Sequence, residues 1–98
     1  MDRRRIVIDG ANFSDINGFY AEIDRVLTSG MKTGHNLDAL CDVLRGGFGV
    51  HGYGEPIEIV WKNMNKSFDE LGMDTVSKIV EIMRDEDAEH DCVLQMEF

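Results

Sequence analysis

Residues 34–45 read GHNLDALCDVLR, and this stretch decides how the rest of the chain is interpreted. Gly34 provides a turn, and Asn36 can cap a helix by accepting a hydrogen bond from a backbone N–H in its first turn. At about 100° per residue, the apolar side chains gather on one face and Asp38 and Asp42 point elsewhere. Like charges four residues apart weaken an isolated helix, so an acidic face for a basic partner explains them better than stability does. The apolar set is Leu37, Leu40, Cys41 and Leu44.

A second amphipathic helix is predicted on the N-terminal side of this stretch. Ser14 or Asp15 caps it, apolar residues recur at helical spacing from Ile16 to Leu27, and Ser29-Gly30 ends it. Residues 31–35 then form a loop that leads into the helix starting at Asn36.

A glycine-rich loop is predicted after Arg45. Residues 46–54 hold five glycines in nine positions, and glycine loses the most conformational freedom on ordering, so we expect a mobile loop. Its Phe48 and Tyr53 either pin the loop to the core or present aromatic rings to a partner. The sequence leaves both interpretations open.

Three β-rich runs predict strands over residues 5–10, 57–62 and 92–98. The first is a short β-branched run closed by Asp-Gly, and we expect it to be buried on both faces. Pro56 precedes the second run, where a strand tolerates proline. We expect Trp61, in the second run, to pack in the core.

Two more helices are predicted between the second and third strands. Ser67-Phe68-Asp69-Glu70 matches a capping box, and Gly72 would stop that short helix. Asp74 or Thr75 opens the next helix, which ends on the acidic run 85–87. The order β-α-α-β-α-α-β suggests an α/β fold, with a small three-stranded, largely parallel sheet covered by helices. We expect one domain over residues 1–98.

Composition narrows the class of partner. The chain has 98 residues and a net charge of −9, from 19 acidic and 10 basic side chains. Such a balance argues against direct binding of nucleic acid or of an anionic membrane surface. It permits steered association with a basic protein or a cation, and solubility alone is the other explanation of the acidic excess. Two cysteines are too few for a disulfide framework, and the basic start is not followed by the apolar region of a signal peptide. We therefore expect reduced cysteines and a cytoplasmic location.

Catalytic and metal sites find little support in the sequence. No nucleophile motif is present, and Asp38 and Asp42 on an exposed helix lack the desolvation that would separate the pKa values of an acid/base pair. His35, His51 and His90 lack metal-ligand spacing, and the run 85–87 is interpreted as a solvated helix end. We predict no catalytic residue, no metal and no cofactor.

The central motif resembles that of the barstar-like ribonuclease inhibitors. In that family a glycine, any residue and Asn-Leu-Asp-Ala-Leu are followed by a further aspartate, as in Gly34 to Asp42. The flanks agree, because residues 6–10, 16–20 and 58–62 are similar to the first strand, first helix and second strand of the family. Arg84-Asp85 resembles a basic-acidic pair in its last helix.

This resemblance implies a three-stranded parallel sheet and inhibition by plugging a nuclease active site. Asp42 would mimic the central phosphate, Asp38 would be its neighbouring contact, and Asp85 would replace a peripheral glutamate. The chain differs at Cys41, where a well-known family member has tryptophan, and Lys32 and Arg45 add positive charge that could encode specificity by repulsion. The implied partner-binding set is Gly34, Asn36, Leu37, Asp38, Cys41, Asp42, Arg45, Gly46 and Asp85.

The sequence therefore favours a cytoplasmic inhibitor of a basic ribonuclease or nuclease toxin domain, of the antidote or immunity type. The alternative is an acidic protein-interaction module on the same scaffold with a non-nuclease partner. Neither hypothesis makes the chain an enzyme.

Overall fold

The computed structural model describes residues 3–28, 30, 34–47, 50–85 and 90–98, and within these ranges the chain alternates strands with pairs of helices. A short 3-10 turn, Gly10–Asn12, follows the first strand. The element order agrees with the predicted one, and the largest difference is at the start of the third helix, which begins at Met64 and not after the predicted cap Ser67. The elements are β1 (Arg4–Asp9), α1 (Ile16–Leu27), α2 (Leu37–Arg45), β2 (Ile57–Lys62), α3 (Met64–Leu71), α4 (Met73–Met83) and β3 (Cys92–Met96).

The three strands form one parallel sheet in the order β1-β2-β3. Its register places Ile6 beside Ile59 and Ile59 beside Leu94. Parallel neighbours need long crossover connections, and here each crossover contains two helices. The predicted α/β class with a largely parallel sheet is confirmed.

The main core lies on one face of the sheet. Alternate residues of β1, Ile6 and Ile8, are buried against the helices, whereas Val7 between them is 37% exposed. The expectation that β1 is buried on both faces is wrong. On the opposite face of the sheet, Val60 of the central strand is buried, whereas its neighbour Val7 on the edge strand is partly exposed.

Trp61 lies fully buried in the central strand, as predicted. Its ring stacks on Phe19 of α1 at 5.3 Å between centroids, with the planes 22° apart, and Phe13 approaches at 6.4 Å. The indole Nε1–H donates to Ser67 Oγ at 3.0 Å. The core therefore holds the large indole ring and also supplies a hydrogen-bond acceptor for its N–H.

The Ser67 contact explains why the predicted capping box is wrong. α3 already begins at Met64, after Asn63 in a left-handed conformation, so Ser67 lies inside the helix and uses its hydroxyl for Trp61. α4 begins at Met73, directly after Gly72, and no side chain caps it. The caps predicted for the first two helices are confirmed, since Asp15 and Asn36 accept from first-turn backbone N–H groups.

A buried carboxylate ties the end of β1 to α1. Glu22 is 5% exposed, and it accepts hydrogen bonds from the Asp9 backbone N–H at 3.0 Å and from Asn12 at 3.1 Å. Arg25 donates to its other oxygen at 2.9 Å. Burial alone would raise the pKa of Glu22, but the three hydrogen bonds and the Arg25 charge hold that pKa below its usual 4.5.

Replacing Ser67 by alanine would leave the buried indole N–H without its acceptor. We expect Ser67→Ala to lower the free energy of unfolding by about 1–3 kcal/mol, measured by urea denaturation followed by tryptophan fluorescence. Ser77→Ala, at an exposed position on α4, is the matched control and should change stability by less than about 0.5 kcal/mol. Equal stability of the two variants would contradict this role of Ser67.

Glu22 should make the free energy of unfolding depend on pH. Because its pKa is lower folded than unfolded, its contribution is present above about pH 4.5 and is lost as the pH falls through the folded pKa. Glu22→Gln should therefore destabilise the protein at pH 7, by about 1–3 kcal/mol, and the difference from wild type should shrink by pH 3. Urea denaturation at pH 7, 4 and 3 measures this, with the exposed Glu81→Gln as control. A difference that is constant with pH would refute it.

Candidate functional site

Helix α2 is fixed to the core by one face. Leu40, Val43 and Leu44 are at most 2% exposed and belong to the core cluster. The opposite side therefore faces solvent, and it carries Asp38 and Asp42. Burial of three apolar side chains thus determines the direction of two carboxylates.

The two aspartates differ in their surroundings. Asp38 lies in the first turn of α2, where a carboxylate interacts favourably with the helix dipole. Asp42 lies one turn later, its side chain is 55% exposed, and Arg45 Nη2 pairs with its Oδ1. The positive charge expected beside the acidic face is therefore an intrahelical ion pair with Asp42 itself.

The loop after α2 folds back on the end of that helix. Gly46 has a φ of 98°, and a Cβ at this position would lie 2.2 Å from the carbonyl oxygen of Gly52, so the close approach requires glycine. The buried His51 donates its Nε2–H to the Leu44 carbonyl at 3.0 Å, and the Gly54 N–H donates to the Arg45 carbonyl at 2.6 Å. The described part of the loop is held by hydrogen bonds.

Tyr53 of this loop is 71% exposed, so of the two interpretations its ring is presented at the surface and is not packed in the core. Phe48 lies outside the described residues. Tyr53 lines a shallow groove of about 420 Å³, hereafter the α2 groove. The other residues of the groove are Asp42, Arg45, Gly46 and Gly47.

Not all predicted contact residues come together in one groove. Asp42, Arg45 and Gly46 share the α2 groove, whereas Asp85 lines a separate one with Arg3, Arg84, His90 and Asp91. Leu37 and Cys41 are half-buried beside the acidic face of α2. Residues 31–33, which include Lys32, lie outside the described residues. So do residues 86–89, which contain the rest of the acidic run that starts at Asp85.

Residues 34–36, hereafter the docking segment, lead into α2. The Asn36 side chain accepts from the Ala39 N–H at 2.8 Å and donates to the Gly34 carbonyl at 3.3 Å. Between them, His35 has a φ of 50° and lies 2.7 Å, Nε2 to Oδ2, from Asp24 of α1. No local pattern in the sequence indicates these contacts of His35, because they depend on a left-handed backbone and on a partner eleven residues away.

The cysteines differ in chemistry. Both are free, as predicted. Burial raises the pKa of the Cys92 thiol to about 12, which keeps it unreactive near neutral pH. Cys41 is half-buried on α2 and therefore lies at the candidate surface.

Within the part of the chain that the structure describes, no three His, Cys, Asp or Glu side chains are grouped as a metal site requires. No helix among those residues has the length and apolarity needed to cross a bilayer.

Fold and site define a small parallel α/β protein that presents an acidic helix, anchored by its apolar face, at its surface. A family model described as Barstar (barnase inhibitor) matches residues 3–96, nearly the whole chain. The chain belongs to the Barstar family, which is a family of inhibitors, and the resemblance of its central motif is confirmed. A comparison with curated proteins found no significant match.

Proposed function

We propose that this protein inhibits a basic ribonuclease or nuclease toxin domain by covering its active site with α2 and the docking segment. The observation that carries the proposal is the exposed pair Asp38 and Asp42 on a helix whose other face is fixed in the core. Membership in a family of barnase inhibitors supports the same conclusion.

The chemistry is replacement of phosphate by carboxylate. A ribonuclease must hold RNA phosphates with basic side chains, and a carboxylate placed among those groups satisfies them by charge-assisted hydrogen bonds. The low dielectric of a closed interface strengthens that attraction. In this proposal Asp42 is the central phosphate mimic and Asp38 its neighbour, and the net charge of −9 speeds association with a basic enzyme.

The rest of the proposed contact surface surrounds these carboxylates. Gly34, Asn36 and Leu37 shape the approach to α2, Cys41 and Gly46 border Asp42 along the helix and its end, and Asp85 is a peripheral contact. Aromatic residues often carry interface energy, and the exposed Tyr53 beside Asp42 is suited to that role.

Arg45 would determine which nucleases are accepted. Its guanidinium already pairs with Asp42, so a partner cation must compete with it or join it at the same carboxylate. Such competition favours a partner whose own cations are well placed, and it disfavours one that relies on bulk positive charge. We further propose that the protein acts in the cytoplasm as an antidote.

Asp42→Ala tests the inhibitor mechanism. We expect the variant to lose about 2–5 kcal/mol of binding, because the partner's buried cations are left unpaired, while its thermal stability changes little. RNA cleavage by barnase, and by basic ribonuclease or toxin domains encoded in the same genome, is measured with stoichiometric inhibitor at two salt concentrations. Salt should weaken wild-type inhibition.

Asp69→Ala, an exposed aspartate on α3, is the matched control and should inhibit like the wild type. If Asp42→Ala inhibits equally well, Asp42 is not the phosphate mimic. If the wild type inhibits no nuclease of the panel, the proposed function fails, and a non-nuclease partner becomes the better explanation.

The reactivity of the Cys41 thiol can report whether a bound nuclease covers this face of α2. An inhibited nuclease should slow alkylation of Cys41 at pH 8, since the proposed interface covers it, whereas Cys92 should stay unlabelled in either state because its thiol pKa is about 12. Peptide mass mapping after a timed iodoacetamide pulse measures both sites. Unchanged labelling of Cys41 in a saturated complex would place the interface elsewhere.

A further inference from the structure

His35 occupies a backbone conformation that residues with a side chain seldom adopt. Its φ of 50° lies in the left-handed region, and among the described non-glycine residues only Asn63 shares it. A single residue stays in this region when its surroundings hold it there, and such residues concentrate at functional sites. The contacts that hold His35 in this conformation therefore indicate what the residue does.

Two side chains of α1 hold the imidazole of His35. Asp24 Oδ2 lies 2.7 Å from Nε2, and the Tyr20 ring stacks on the imidazole at 5.5 Å between centroids, with the planes 19° apart. Tyr20 and Asp24 are one helical turn apart on α1, so they form neighbouring parts of one rigid surface. The docking segment is thus attached to α1 as well as to α2.

The imidazole faces inward. The side chain of His35 is 23% exposed and that of Asp24 is 9% exposed, and Tyr20 belongs to the core cluster. Little of the ring is available to a partner, whereas its neighbours Gly34 and Asn36 are exposed. His35 is therefore better placed to hold its neighbours than to make a contact of its own.

We propose that His35 is a positioning residue, which latches the docking segment onto Tyr20 and Asp24 of α1 so that the segment is in its binding conformation before a nuclease arrives. This inference rests on the proposed function, because it concerns how the same surface is prepared. A segment that is ordered in advance loses less freedom on binding.

The latch predicts an effect on one rate constant. If the docking segment is competent only a tenth of the time, the apparent affinity falls roughly tenfold, and the loss appears in association. Loss of a direct contact would instead appear mainly in dissociation. His35→Gly suits this test because glycine adopts the left-handed region without strain, so the fold is expected to survive while the latch is lost.

The kinetic experiment uses barnase, or the panel nuclease that the wild-type chain inhibits, immobilised for surface plasmon resonance. We expect His35→Gly to associate roughly tenfold more slowly and to dissociate at the wild-type rate. Asn63→Gly is the matched control. It removes the side chain at the other left-handed backbone position, which is far along the chain from the docking segment, and it should change neither rate. Faster dissociation with unchanged association, or no change in either rate, would overturn the latch.

Asp24→Asn provides a second variant. If Asp24 and His35 act as one latch, the effects of Asp24→Asn and His35→Gly on association should combine to less than their product. Fully multiplicative effects would show that the two residues act separately and would overturn the proposal.

A measurement on the free protein separates failure of the latch from failure of the proposed function. Backbone ¹⁵N relaxation of Gly34 and Asn36 should show a rigid segment in the wild type and in Asn63→Gly, and a flexible one in His35→Gly. A segment that stays rigid in His35→Gly overturns the latch whether or not any nuclease binds. A flexible segment combined with no binding to any panel nuclease leaves the latch standing and refutes the proposed function.

Discussion

Burial of Leu40, Val43 and Leu44 is the constraint on which the rest of the site depends. These side chains fix the rotation of α2 about its own axis, and a rotation by one residue, about 100°, would turn its carboxylates toward the apolar core. Helix α4 packs against α2, and the buried side chains of both helices belong to one core cluster with those of the sheet. The rotation of α2, and with it the direction of two exposed charges, is therefore set by buried apolar side chains.

Much of this arrangement could be predicted because it depends on local patterns. The periodicity of residues 37–44 predicts the burial of Leu40 and Leu44 but misses the buried Val43. Asn36 and Asp15 predict their helix starts, since a cap is a contact within one turn. The alternation of strands and helices predicts the parallel sheet. These features follow from residues that are near one another in the chain.

The features that were predicted wrongly, or were missed, depend on contacts between different elements of the fold. Ser67 has the pattern of a cap, but the indole N–H of Trp61 needs an acceptor inside the core, and that tertiary need determines its role. β1 has an apolar run suited to two buried faces, yet only the face of Ile6 and Ile8 is buried, and Val7 on the other face is 37% exposed. The stacking of His35 on Tyr20 likewise depends on a long-range approach.

Two hydrogen bonds fix the loop after α2 to the end of that helix. His51 and Gly54 tie the loop to the carbonyls of Leu44 and Arg45, so the helix end is held at both of these points. Changes of sequence or length between the anchors can reshape the rim of the α2 groove while Asp42 stays in place. Under the proposed function, a fixed charge beside an adjustable rim would let changes in this loop alter which nucleases are accepted without moving the carboxylate of Asp42.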